Sequence, residues 1–76
     1  MNAYVFISTE VDQAKKVAQK IAKLTGVKLA DCFWGKPDVI VFAEVADAKA
    51  LEELVLGKLA KIAGVEATET HLVLAL

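Results

Sequence analysis

The side chains that could perform chemistry are few and lie far apart in the sequence. His71 is the single histidine and Cys32 the single cysteine, and together they could form a thiolate–imidazole pair for nucleophilic catalysis. Asp31 and Glu69 could act as a carboxylate pair in acid–base chemistry if they faced each other on neighbouring strands. Residues of these types on separate strands more often pack or face solvent, so we assign no catalytic residue. One histidine and one cysteine also make neither a histidine pair nor a cysteine-based zinc cluster, so no metal site is predicted.

Two further segments have the composition of a small polar binding site. Gly35 and Asp38 bound a turn, Gly-Lys-Pro-Asp, in which Asp38 either accepts a hydrogen bond from the turn backbone or meets the ammonium group of a small ligand. Near the C-terminus, Thr68 and Thr70 alternate on one side of a predicted strand. Their hydroxyl groups either face solvent or serve as donors and acceptors for a ligand. The residue types alone leave both alternatives open in both segments.

The composition is that of one small domain with no basic surface. The 76 residues include nine lysines, no arginine and ten acids, with a net charge of −1, so we expect no direct binding of nucleic acid. Hydrophobic residues make up 57% of the chain, yet no run approaches the roughly 18 apolar residues that cross a membrane. The N-terminus does not resemble a signal peptide. We therefore expect a cytoplasmic protein, and no motif indicates a cofactor.

A repeat of 38 residues organises the chain. The segment 21–27, Ile-Ala-Lys-Leu-Thr-Gly-Val, is echoed by 59–65, Leu-Ala-Lys-Ile-Ala-Gly-Val. In this alignment Thr9 corresponds to Asp47, and both are residue types that cap helix N-termini. The repeat therefore predicts one helix from Thr9 to Gly26 and a second from Asp47 to Gly64, each ended by its glycine.

The segments between these helices read as β-strands. β-Branched and aromatic residues predict four of them, over 3–7, 27 to about 34, 39–45 and 65–76. The resulting order is βαββαβ, and two right-handed crossovers place both helices on one face of a four-stranded antiparallel sheet. We expect an α+β fold, the ferredoxin-like sandwich, as a single domain over residues 1–76.

The first and third predicted strands are apolar on both sides. In the first, Val5 and Ile7 alternate with Tyr4 and Phe6. A strand that is apolar on both sides is normally buried on both sides. We therefore expect the helix-free face to be covered by the same face of a second subunit, which gives a dimer.

Several motifs together resemble a known family. Gly-Val closes each helix, a Gly-x-x-Asp turn precedes an apolar strand, Leu-Glu-Glu-Leu-Val-Leu opens the second helix, and Gly-Val-x-x-Thr-x-Thr-x-Leu-Val-Leu forms the last strand. In this order and spacing they resemble the C-terminal effector domain of the Lrp/AsnC family, the regulator of amino-acid metabolism (RAM) module of transcription regulators. The resemblance extends over essentially the whole chain.

The resemblance implies an oligomeric, non-catalytic module that binds an amino acid. Such modules pair through their sheet faces, often assemble into rings of dimers, and bind amino-acid effectors where dimers meet. By resemblance, Gly35 would allow close approach of the backbone, Asp38 would pair with the ligand's ammonium group, and Thr68 and Thr70 would supply hydroxyl groups. The chain carries no helix-turn-helix domain, so we expect a stand-alone module that acts as a sensor or co-assembles with full-length regulators.

Two other functions stay open at this point. One is a purely structural partner of such regulators. The other is a small dimeric ferredoxin-like oxygenase or isomerase that uses His71 or Tyr4, which would need a roomy pocket between sheet and helices. The ACT domain, another amino-acid-binding module, shares the βαββαβ order. It usually has a glycine in the first strand–helix turn, where this chain reads Ser-Thr-Glu-Val over residues 8–11.

Overall fold

The computed structural model describes residues 1–75 and contains the predicted succession of strands and helices. The elements are β1 (Asn2–Thr9), α1 (Ala14–Ala22), β2 (Val27–Cys32), β3 (Val39–Glu44), α2 (Ala48–Gly57), a 3-10 turn (Leu59–Lys61) and β4 (Val65–Leu72). The four strands form one antiparallel sheet in the order β2-β3-β1-β4. This order confirms the α+β, ferredoxin-like sandwich.

The core lies between the sheet and the two helices. Alternate residues of β1 and β3 point into it, and Val5, Ile7 and Val41 are fully buried there. The helices contribute the remaining large side chains of this layer, which are Val17, Ile21, Leu51, Leu54, Val55 and Leu59. The oxygenase or isomerase alternative requires a roomy pocket in this layer. Valine, isoleucine and leucine side chains occupy that position instead.

The predicted start of the first helix is wrong by more than a turn. Thr9 ends β1 and pairs with Val65, and its backbone N–H donates to the Asp38 carboxylate at 2.8 Å. Thr9 does not cap the helix, because it is the last residue of a strand and the N-cap position of the first helix, Gln13, lies four residues beyond it. The chain then turns through Asp12, at φ +64°, and α1 begins after Gln13.

The second helix begins where the sequence predicts. Asp47 has extended backbone angles, and its side chain accepts a hydrogen bond from the Ala50 N–H at 2.9 Å. This geometry satisfies one of the amide groups that the first turn of a helix leaves without a partner. The predicted helix to Gly64 is interrupted, because α2 ends at Gly57 and a separate 3-10 turn completes the segment.

The 38-residue repeat relates equivalent positions at the C-terminal ends of the two helical segments but not at their N-terminal ends. Leu24 N–H donates to the Ile21 carbonyl, and the equivalent bond joins Ile62 to Leu59. Gly26 and Gly64 follow with φ of +94° and +98°. At the entries, however, Ala14 corresponds to Ala48, a displacement of 34. The second half thus holds four additional residues, about one helical turn, which is why aligning Thr9 with Asp47 misplaces the first cap.

Two strands end at least two residues earlier than predicted. β2 stops at Cys32 rather than near Trp34, because Phe33 N–H closes the hairpin turn by donating to the Asp38 carbonyl at 2.8 Å. β4 stops at Leu72, and the last residue of the predicted strand, Leu76, lies outside the described residues.

The helix-free face of the sheet has an apolar centre. Tyr4 packs against Phe42 with ring centroids 4.9 Å apart, and Phe6 and Ile40 form the next cross-strand pair. Tyr4 is 43% exposed, whereas the alternating residues Val5 and Ile7 are buried. The predicted two-sided apolar pattern is therefore confirmed, and no element within residues 1–75 covers this face.

Candidate functional site

The candidate carboxylate pair is separated by the full width of the sheet. Asp31 on β2 pairs with Ile40, Ile40 pairs with Phe6, and Phe6 pairs with Glu69 on β4. β2 and β4 are the two edges of the sheet, three strand spacings or about 14 Å apart. Asp31 and Glu69 therefore do not face each other on neighbouring strands, and that interpretation is wrong.

The candidate thiolate pair is also separated. Cys32 lies opposite Val39, whose side chain enters the core, whereas His71 lies opposite Tyr4 on the helix-free face. Directly opposed residues of antiparallel strands share a face, so the two groups occupy different faces and different edges. His71 instead has its Nε2 2.9 Å from a Glu69 carboxylate oxygen, and its ring centroid lies 4.7 Å from that of Phe6.

The turn between β2 and β3 is fixed to the first strand. Asp38 N–H donates to the Ile7 carbonyl at 3.0 Å, and an Asp38 carboxylate oxygen accepts from Thr9 N–H at 2.8 Å and from Lys36 Nζ at 3.3 Å. The bond from the Thr9 amide, assisted by the Lys36 ammonium, lowers the pKa of the Asp38 carboxyl below its ordinary value of 3.8. Gly35 completes the turn at φ +105°, a conformation that favours glycine.

A cleft forms where this turn approaches β4 on the helix-free face. Its volume is 390 Å³, and its lining residues are Phe6, Ser8, Lys36, Pro37, Ala67, Thr68 and Glu69. We refer to it as the turn cleft. Lys36 provides a cation, Glu69 a carboxylate and Ser8 a hydroxyl, while Phe6 and Pro37 provide apolar surface. The cleft therefore offers both charges and an apolar wall to one small ligand.

The two ionic side chains that line the turn cleft, Lys36 and Glu69, are both exposed, whereas Asp38, the partner of Lys36, is 20% exposed. Lys36 pairs with Asp38 through a side chain that is 73% exposed, and Glu69 pairs with His71 through one that is 70% exposed. Exposed pairs of this kind contribute at most about 1 kcal/mol, so a ligand can replace them at little cost.

The structure places the four predicted site residues in different surroundings. Gly35 and Asp38 share the turn, but the Asp38 carboxylate is directed towards Thr9. Thr68 lines the turn cleft, although it lies opposite buried Ile7 in the sheet, so its hydroxyl is on the helix side. Thr70 lies one pleat further along that side, in a separate groove. Within one chain, the two threonine hydroxyls and the turn do not converge on one point.

That separate groove lies between α2 and β4. Its volume is 260 Å³, and its lining residues are Ala48, Leu51, Glu52, Val55, Leu56 and Thr70. We refer to it as the α2–β4 groove. Its walls are almost wholly apolar.

Sequence reasoning did not find Phe6, Ser8, Ala67 and Glu69 as cleft residues. The register pairs Phe6 with Glu69 and Ser8 with Ala67, so all four share the helix-free face. The sequence does indicate that Phe6 and Ser8 share a face, because they alternate with the buried residues of β1. It does not indicate the register between β1 and β4, which places Glu69 and Ala67 beside them.

The similarity to known proteins extends over the chain. The Lrp/AsnC ligand binding domain family matches residues 2–75. An uncharacterised HTH-type transcriptional regulator of Pyrococcus furiosus is 33% identical over 70 residues, which are 92% of this chain and 47% of that protein. A similar regulator of Pyrococcus horikoshii is 31% identical over 70 residues, 92% of this chain and 44% of that protein. The chain thus spans about half the length of the curated relatives it matches.

Solved structures with the same fold include proteins of similar size. TTHA0845 of Thermus thermophilus superposes with a TM-score of 0.92 at 25% identity, covering 99% of this chain and 94% of that one. Escherichia coli AsnC superposes with a TM-score of 0.89 at 20% identity, covering 99% of this chain and 51% of that one, and shows the fold alone.

The ferredoxin-like sandwich and the family match together define the class, an effector-type domain related to transcription regulators. The chain belongs to the Lrp/AsnC ligand binding domain family. Between residues 1 and 75, no helix is long and apolar enough to cross a membrane.

Proposed function

We propose that this chain is an oligomeric, non-catalytic effector module that binds a free amino acid. The observation that carries the proposal is the turn cleft, which presents a lysine and a glutamate to the same space of 390 Å³. A free amino acid carries one carboxylate and one ammonium group, so it matches this pair of charges. The family of the chain agrees with such a ligand. A structure with 24% identity is described as a complex of a Neisseria meningitidis transcriptional regulator with L-Met, and its likeness to this chain shows the fold alone.

Each polar group of the cleft has a separate role in the proposal. Lys36 would pair with the ligand carboxylate, a role that arginine fills in many sites and that no arginine can fill here. Glu69 would accept from the ligand ammonium group, and Ser8 would add a hydroxyl. Phe6 and Pro37 would contact the ligand side chain, which favours an apolar one.

The four residues predicted from the sequence enter the proposal in three ways. Gly35 and Asp38 would hold the turn that presents Lys36, and Asp38 would do so through Thr9. Thr68 would line the cleft through its backbone. Thr70 would contribute only where another copy of the chain covers the α2–β4 groove.

The module would act as a dimer through the part of its helix-free face around Tyr4, Ile40 and Phe42, and Phe6 would remain part of the turn cleft. The equivalent face of a full-length regulator is the alternative partner. In this proposal, the homodimer and the assembly with a full-length regulator both act in the cytoplasm.

Thermal unfolding in the presence of each of the twenty amino acids tests the ligand. A ligand at a hundred times its dissociation constant stabilises the folded state by about 2.7 kcal/mol. For a domain of this size, that corresponds to a rise in Tm of about 10 °C or more. We expect at least one amino acid to give such a rise.

Variants of the cleft identify the site. Lys36→Met and Glu69→Gln should each remove most of the ligand-induced rise, because each deletes one of the two charges. Lys61→Met is the matched control, since it removes a lysine that does not line the cleft. Stabilisation by none of the twenty amino acids would contradict the function, and stabilisation that survives in both cleft variants would contradict the site.

A further inference from the structure

His71 lies beside the turn cleft and contacts two of the residues that line it. It follows Glu69 by two residues in β4, so both side chains are on the helix-free face of the sheet. Its Nε2 is 2.9 Å from a Glu69 carboxylate oxygen. Its ring centroid is 4.7 Å from that of Phe6, which forms part of the cleft wall. The imidazole is therefore held against both a charged and an apolar part of the cleft.

The titratable groups that face His71 come from its own strand and from β1. Within residues 1–75, β4 is an edge strand with β1 as its neighbour in the sheet. From β1, Tyr4 lies directly opposite His71. From β4, Glu69 is in contact with it. Lys36 of the hairpin turn lines the same cleft as Glu69. The charge that His71 meets at contact distance is therefore the Glu69 carboxylate.

The charge of the imidazole changes the strength of this contact. Histidine is the side chain that gains or loses a proton between about pH 5 and 8. A protonated imidazole attracts a carboxylate by its charge, whereas a neutral imidazole offers a hydrogen bond without that attraction. The same positive charge repels an ammonium group that approaches the same carboxylate. The proton on His71 thus opposes the binding of any second cation to Glu69.

A free amino acid brings such a second cation. In the proposed function, on which this step rests, the Glu69 carboxylate accepts from the ligand ammonium group. A carboxylate has two oxygens, so it can serve a neutral imidazole and an ammonium group together. When His71 is protonated, the ligand must compete with an ion pair and approach a like charge. The ligand therefore binds more tightly to the form of the module in which His71 is neutral.

We propose that His71 makes amino-acid binding in the turn cleft depend on pH, because it holds Glu69 in an ion pair when protonated and leaves it to the ligand when neutral. The module then binds its amino acid more tightly in neutral or mildly alkaline solution than in mildly acidic solution. His71 is a positioning residue, since it acts on the ligand through Glu69. Binding and protonation oppose each other, so each ligand bound in mildly acidic solution releases part of a proton.

Calorimetric titration with each of the twenty amino acids, at about pH 5.5 and about pH 8, measures this dependence. For an amino acid that binds, we expect the dissociation constant to fall about three- to fivefold from the lower to the higher pH, the scale of an exposed ion pair. Titrations repeated at the lower pH in buffers of different ionisation enthalpy should show the release of protons on binding.

Two substitutions imitate the two charge states of His71. His71→Gln keeps a hydrogen-bonding group beside Glu69 but cannot gain a proton, so its dissociation constant should be low at both pH values. His71→Lys carries a positive charge throughout this range, so its dissociation constant should be high at both. His71→Gln also retains every other titratable group of the chain, including the N-terminal ammonium group. Any pH dependence that remains in it therefore belongs to those other groups.

A dissociation constant that is the same at both pH values would overturn the role of His71 and leave the proposed function intact. A pH dependence that survives in full in His71→Gln would do the same. Sedimentation at both pH values is the control for the dimer, because Tyr4, opposite His71, lies in the proposed dimer surface. A change of mass that accompanies the change in affinity would assign the effect to the dimer instead. Binding of none of the twenty amino acids would contradict the proposed function, and the role of His71 with it.

Discussion

At the scale of single residues, Asp38 shows how one carboxylate can define a turn. It accepts hydrogen bonds from the Thr9 amide on β1 and from the Lys36 ammonium within the turn. The first bond joins residues 29 positions apart in the sequence. Asp38 thereby fixes where the hairpin lies over β1, and so also where Lys36 enters the turn cleft.

Replacing Asp38 by alanine should lower the Tm near neutral pH by a few degrees. The pKa of Asp38 is lowered in the folded protein, so its carboxylate stabilises the fold above pH 3.8, the ordinary pKa. This contribution decreases as the pH falls below 3.8, and it is lost once the pH has fallen below the lowered pKa of the folded protein. The difference in Tm between the unmodified chain and Asp38→Ala should therefore shrink in acid.

Thermal unfolding followed by circular dichroism over a pH series measures this difference. Asp31→Ala is the control, because it removes a carboxylate from an exposed strand position. A difference for Asp38→Ala that stays constant from neutral pH to well below pH 3.8 would show that the carboxylate is not the stabilising group.

At the scale of elements, the two helices begin by different means. α2 is capped by the Asp47 carboxylate, whereas Gln13 at the start of α1 has helical backbone angles and makes no capping bond through its side chain within the described residues. The exits are alike, because both end in a glycine at positive φ. At Gly64 the chain also approaches α1 closely, since a Cβ there would lie 3.0 Å from the Gln13 Cβ.

Asp47→Ala should destabilise the fold by about 1 kcal/mol, the usual loss when a capping side chain is removed. For a domain of this length, the expected fall in Tm is about 4–8 °C. Gln13→Ala is the matched control at the start of the other helix. It keeps the Cβ that packs near Gly64 and deletes no cap, so its Tm should change by much less. Equal losses in the two variants, measured by urea unfolding, would contradict the assignment of Asp47 as the cap.

At the scale of the whole molecule, the sheet has one face in the core and one face open. The open face has the pair Tyr4–Phe42 and the pair Phe6–Ile40 at its centre. Apolar burial contributes roughly 25 cal/mol per Å², so covering several hundred Å² would rival the net stability of a small domain. The proposed dimer covers this face in the simplest way, because in a two-fold symmetric pair each subunit buries its open face against the same face of the other.

Tyr4→Lys should disrupt this dimer. Tyr4 is 43% exposed in the single chain, so a lysine fits the monomer, but in the dimer its charge would be buried opposite an apolar surface. Sedimentation should show a shift towards the monomer mass, while the far-ultraviolet circular dichroism stays unchanged. Val11→Lys, which adds the same charge at an exposed site away from the face, should keep the dimer. A dimer that persists in Tyr4→Lys would contradict pairing through this face.

The sequence by itself determined the features that depend on neighbours along the chain. Alternation in β1 and β3, the glycines at both helix exits and the cap at Asp47 are local signals, because hydrogen bonds over a few residues and the two-residue period of a strand create them. From these signals the element order and the sandwich follow. The turn at Gly35–Asp38 was predicted for the same reason.

Only the tertiary structure decided how distant segments meet. Thr9 has the residue type of a helix cap, yet it pairs with Val65, because strand pairing extends β1 beyond the local signal. Asp31 and Glu69 match in the repeat, yet the strand order puts them at opposite edges. The turn cleft arises from the register of β1 and β4, which depends on packing across the sheet. A local pattern does not contain that register, since a shift of one residue exchanges the two faces of a strand.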